Sequence, residues 1–188
     1  MKKIFIFLIS IQVLGCSVKD KAIEGKNNDA NTLDPVSIVV ESFYRWYLDS
    51  VYENGTINFP DVIITKDSIY KLDGTKYIAL LNQSGFFSKQ FIEEQKSLIN
   101  ECGNYLLTDK GRKEYREAGF MAVESKACDF MNYFPWIGGQ GEEIHKVEII
   151  SSTIKENKAK VIVKAIDKVN VELVKEKDLW KINKIYIK

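Results

Sequence analysis

From residue 144 to the end of the chain the apolar residues recur at every second position. The segments HKVEIISSTI, KAKVIVKA, KVNVELVK and LWKINKIYIK are separated by the turn-like stretches KEN, ID and KEKD. An extended strand sends successive side chains to opposite faces, so this period buries one face and wets the other. Four such segments with short connections predict an antiparallel meander. In the last one the apolar parity slips between Ile182 and Ile185, which predicts a bulge or burial on both faces. A meander of this kind needs an apolar cover for its dry face.

The cover lies upstream. Asp34-Pro35 is a helix start, a capping side chain followed by a residue whose missing N–H costs nothing in the first turn. Val36, Val40, Phe43, Tyr47 and Val51 then recur at steps of three and four, flanked by Val39, Tyr44 and Trp46. Glu41, Arg45 and Asp49 fall on the other side at four-residue spacing, in an order that allows ion pairs. ENGT at 53–56 ends this helix. INFPDVIITKDSIYKLDG predicts one or two short strands, and Thr75 is placed to cap a short helix through Leu81, punctuated by Gly85. Phe87, Phe91, Leu98 and Cys102 keep helical spacing up to Gly103. TDKGRKEYREAG is a charged surface segment, and DFMNYFPWIGGQGEE, with aromatics, Pro and glycines together, is a loop. Helices followed by an antiparallel sheet make an α+β domain.

The first residues belong to neither part. MKK is basic, IFIFLISIQVL is apolar but too short to span a bilayer, which needs about 20 residues, and Gly15 precedes Cys16. VLGC resembles the lipobox of bacterial lipoproteins. The expected division is a signal peptide over 1–15, a lipidated Cys16 and polar tether over 16–33, and one domain over 34–188. Such a protein is exported and held at a membrane by acyl chains alone, in the periplasm or at the cell surface. Asp20 is too little acidic content to choose a face of an outer membrane. Loss of Lys2 and Lys3 from the 27 basic residues leaves 25 against 26 acidic ones, a net charge of about −1. That balance removes the electrostatic case for nucleic acid.

Cys102 and Cys128 are either a disulfide, as export permits, or two buried thiols behaving as small hydrophobes. The aromatic side chains Tyr44, Trp46, Tyr47, Tyr133, Phe134 and Trp136 are candidates for a ligand-binding wall, although Tyr47, like Phe43, also suits a packed helix face. Asp129, flanked by aromatics in CDFMNYFPW, is the candidate general base, in competition with a simple capping or turn function. The one histidine, His145, sits beside Glu142 and Glu143 and suits a strand edge. With one His and no clustered Cys, no metal and no cofactor are expected. GGQ at 138–140 and Asp67-Ser68-Ile69, an O-glycosylation-like triplet, are too short to carry weight.

The FYRWY segment, the short middle helices, the aromatic loop and the terminal WKINKIYI resemble the nuclear transport factor 2-like superfamily, and within it a family of exported bacterial lipoproteins. The likeness spans about residues 35–188. It implies a cone in which the first helix crosses a strongly curved antiparallel sheet and leaves a cavity at one end. Enzymes and binding domains share that fold, so it implies no single activity. The side-chain inventory favours a non-catalytic binding domain for a small apolar molecule, a glycan or a protein segment. The alternatives are an isomerase or hydrolase using Asp129, which needs that carboxylate in a deep pocket, and an immunity-type interaction protein, which needs an exposed apolar patch over 130–137.

Overall fold

Helix α1 (Pro35–Leu48) starts where the capping signal lies. This is a computed structural model that describes residues 33–50, 59–64, 70–131, 136–138, 144 and 146–187, and Leu33–Lys188 forms one compact unit. Asp34 Oδ1 accepts the amides of Val36 and Ser37, each at 3.0 Å. Its Oδ2 accepts the hydroxyls of Ser37 at 2.7 Å and of Ser152 at 2.5 Å, so the cap also ties the helix to the sheet. Arg45 pairs with Glu41 at 3.2 Å on the wet side. The end of this helix expected at 53–56 lies outside the described residues, as do Cys16 and the tether.

A hairpin of β1 (Asp61–Ile64) and β2 (Tyr70–Asp73) follows, then α2 (Thr75–Ser84). Thr75 does not cap α2 but lies within it: Gly74 is at the cap, and Asp73 accepts the Thr75 amide at 2.9 Å. Gly85, at φ +72°, closes the helix in the left-handed region that favours glycine. Helix α3 (Lys89–Leu106) is capped by Ser88, which accepts the Phe91 amide, so Phe87 stands outside it. Gly103 does not stop α3. Cys102 and Leu106 are both buried on one stripe four residues apart, and that burial outweighs the roughly 1 kcal/mol that an interior glycine costs.

The charged TDKGRKEYREAG segment is itself helical, α4 (Asp109–Ala118), capped by Thr108. A Cβ on Gly111 would stand 2.2 Å from the Tyr105 carbonyl oxygen, so a residue without one is required at this junction. Two 3-10 turns follow, Gly119–Ala122 and Lys126–Met131. A disulfide between Cys102 and Cys128, both fully buried, ties the second turn to α3. It closes a loop with a sequence separation of 26, worth about 3–4 kcal/mol in the chain-entropy account.

Strands β3 (Glu148–Lys155), β4 (Lys158–Lys164), β5 (Lys168–Glu176) and β6 (Leu179–Ile187) form the meander in that order, all antiparallel. Val161 and Val163 of β4, Val169 and Val171 of β5 and Ile182 of β6 are fully buried on its dry face, and α1 packs against β3, β4 and β6. The parity slip is a bulge: Glu172 pairs with Lys184 and Leu173 with Ile182, leaving Asn183 as the extra residue. Asn183 accepts the Ser88 hydroxyl at 2.7 Å, and Phe86 O and Ser88 N hydrogen-bond Ile182 along the β6 edge.

The architecture is α+β, with helices and a four-stranded antiparallel sheet, but the sheet is not strongly curled. Strong coiling needs repeated bulges or glycine kinks. These four strands contain no glycine and show register shifts at only two places.

Candidate functional site

The aromatic face of α1 is closed. Phe43 lies at the centre of a ring cluster, with centroids 4.8 Å from Tyr44, 5.5 Å from Phe87, 5.6 Å from Trp136 and 6.0 Å from Tyr47. Phe43, Tyr44 and Tyr47 are fully buried, and Trp136 is 5% exposed. The Tyr44 hydroxyl donates to the Trp136 carbonyl at 2.8 Å, and burial pushes its phenol well above the usual tyrosine range. Trp46, half-buried at the margin, packs on Phe86 at 5.6 Å.

Trp136 is held over the cluster from the far side. The carbonyl of Ile137 accepts the amides of Ile166 and Asp167 at 3.1 and 3.3 Å. Gly138 turns the chain at φ +79°, where a Cβ would stand 2.6 Å from Asp167 Cβ. Tyr44, Tyr47 and Trp136, expected as a ligand wall, are part of the buried core cluster. Aromatic density signalled packing because six or more rings at 5–6 Å leave no room for a guest. Tyr133 and Phe134 lie outside the described residues.

Asp129 does not sit in a pocket. It is exposed on the second 3-10 turn, whose neighbouring Cys128 points into the core to reach Cys102. The disulfide holds Cys128 on the inward side of the turn, and Asp129 lies on the exposed side. Of the apolar patch sought over 130–137, Phe130 and Met131 are half-buried and Trp136 and Ile137 are buried. His145 and Asp67–Ile69 lie outside the described residues. Among the described residues no group of three or more His, Cys, Asp or Glu side chains could hold a metal ion.

A large hollow lies on the other side of the sheet. It is an open groove of about 760 Å³ whose floor is the solvent-facing side of β3, β4 and β5 and whose wall is Gln90 at the start of α3 together with the bulge residue Asn183. Lys155, Lys158, Lys160, Glu172 and Glu176 carry its charge, with Val174 between them. Both carboxylates are engaged: Glu172 accepts the Tyr186 hydroxyl at 2.9 Å and Glu176 the Lys89 amide at 3.3 Å. The Lys160 ammonium donates to the Tyr186 hydroxyl at 3.3 Å, and Lys184 lies 5.5 Å from the same ring on its own strand. Lys155 and Lys158 face each other directly across the β3–β4 pair. The sequence carried this signal as the three lysines of KENKAK, at positions 155, 158 and 160. A smaller hollow of about 340 Å³ lies between β2 and α3, lined by Leu72, Ile99 and Leu107 among others.

No protein-family model matches this sequence, and neither a curated protein nor a solved structure is found to be similar to it.

Proposed function

We propose that this chain is an exported, lipid-anchored binding domain whose binding surface is the solvent face of its sheet, not its aromatic cluster. The observation that carries this reading is the contrast in packing: the rings of α1 are sealed against Phe87 and Trp136, while a groove of about 760 Å³ stands open over β3–β5. Ligand sites are usually concave, and this groove is lined mainly by polar and charged side chains, which suits a polar ligand.

Support for export comes from the buried Cys102–Cys128 disulfide, a bond that persists in oxidising compartments. The VLGC motif supports anchoring at Cys16, and no helix of the described residues is long and apolar enough to cross a membrane. The helix laid on an antiparallel sheet supports the nuclear transport factor 2-like resemblance at the level of architecture. Its strongly curved cone with an end cavity is not part of this reading.

The reading is tested by amide mapping of the isotopically labelled chain against soluble glycan and peptide fractions of a bacterial envelope. Shifts clustered on residues 153–160 and 172–176 are expected. Shifts confined to residues 43–47, 86–91 and 136–138 would mean that the aromatic cluster opens to ligand and that the groove is the wrong surface.

A further inference from the structure

We infer that the groove on the sheet is an anion site, built to take a small soluble ligand that carries two or more phosphate or carboxylate groups. The inference rests on the reading of that groove as the binding surface and names the class of its ligand. It starts from a local conflict. Lys155 and Lys158 are direct partners across an antiparallel pair, where like charges oppose each other. Next along the ladder, Thr153 faces Lys160, so a third ammonium follows two positions from Lys158 on the same face. Side chains two apart on a strand lie roughly 7 Å apart, and facing ones about 5 Å.

Lys155 and Lys158 thus place two ammonium groups within the reach of one diphosphate, while Lys160, the direct partner of Glu172 on β5, turns to the Tyr186 hydroxyl on β6. The carboxylates nearby do not resolve the conflict. Glu172 and Glu176 keep their negative charge while accepting from the Tyr186 hydroxyl and the Lys89 amide, but neither pairs with Lys155 or Lys158, whose side chains have neither an ion pair nor a hydrogen bond among the described residues. A chain close to neutral overall has no general excess of positive charge to explain this spot. The groove is also concave, walled by Gln90 and Asn183, whose amides supply further hydrogen-bonding groups. A flat bilayer surface does not enter such a wall, which favours a discrete polyanion over a lipid headgroup layer.

The experiment titrates the full-length chain in neutral detergent with pyrophosphate, with a neutral chito-oligosaccharide, and with vesicles of phosphatidylglycerol, following amide shifts over 153–160 and 172–176. Pyrophosphate is expected to saturate these shifts, more weakly as salt is raised. Lys158→Glu is expected to weaken its binding about tenfold or more while the unliganded protein melts no lower than the parent, since the exchange replaces a like-charge pair by an opposite one. Unchanged affinity in Lys158→Glu overturns the inference. Groove shifts with the oligosaccharide but none with pyrophosphate overturn the anion class and leave the groove reading standing. Shifts only with the vesicles replace the discrete ligand by membrane apposition. Silence of the groove toward all three overturns both readings.

Discussion

The two faces of the β3–β6 sheet are made from alternate residues of the same strands, and they have opposite fates. Val161, Val163 and Val171 are sealed on the dry face, whereas Lys158, Lys160 and Glu172 stand in an open groove one residue away. Tyr44, Tyr47 and Trp136, which look most like a binding wall in the sequence, went to the sealed side. The lysines, which look like ordinary solvent positions, line the open one. Ring density marks where a chain spends its largest apolar groups on packing, and packing to interior density leaves no site.

That contrast is most open to attack at its centre. Phe43→Ala is expected to lower unfolding free energy by about 3–5 kcal/mol in denaturant titration, whereas Lys160→Ala should stay within about 0.5 kcal/mol. Similar costs for the two would erase the distinction between the faces. Next in size, Cys102→Ala combined with Cys128→Ala should cost about 3–4 kcal/mol, measured beside a reduced sample of the parent. An undiminished midpoint would mean that the turn carrying Cys128 is held by packing alone. Tyr44→Phe should cost about 1–3 kcal/mol, because it leaves the buried Trp136 carbonyl without its donor.

The smallest effect is a pH dependence. Burial alone would raise the Asp34 pKa, but hydrogen bonds from the hydroxyls of Ser152 and Ser37 and from the amides of Ser37 and Val36 outweigh it and hold the carboxyl below its usual 3.8. A carboxyl depressed in the folded state contributes stability that is fully present above the unfolded value and lost as pH falls through the folded one. The difference in urea midpoint between the parent and Asp34→Asn should therefore hold steady above pH about 5 and shrink below pH about 4. A difference constant down to pH 2 would remove Asp34 from the acid response.

Much of this fold was legible because the signals were periodic. The Asp34-Pro35 start, the four strands and the slip at Ile182–Ile185 each appear where alternation or capping chemistry put them, and the slip resolves as the Asn183 bulge. Gly103 misled because a local breaker was weighed without the tertiary burial of Cys102 and Leu106 around it. TDKGRKEYREAG was legible as surface but not as a helix, because charge marks exposure and says nothing of backbone conformation. The candidate site was least legible. Whether Asp129 faces in or out depends on a disulfide partner 26 residues away, and whether rings line or fill a space depends on what meets them from Phe87 and Trp136.

The Asp34 clamp has a mechanical side. Any pull on the polypeptide that precedes residue 33 enters the folded unit at Asp34, whose carboxylate grips two amides of α1 and the Ser152 hydroxyl of β3 together. Tension is therefore shared at its first point of entry between a helix and the edge of the sheet.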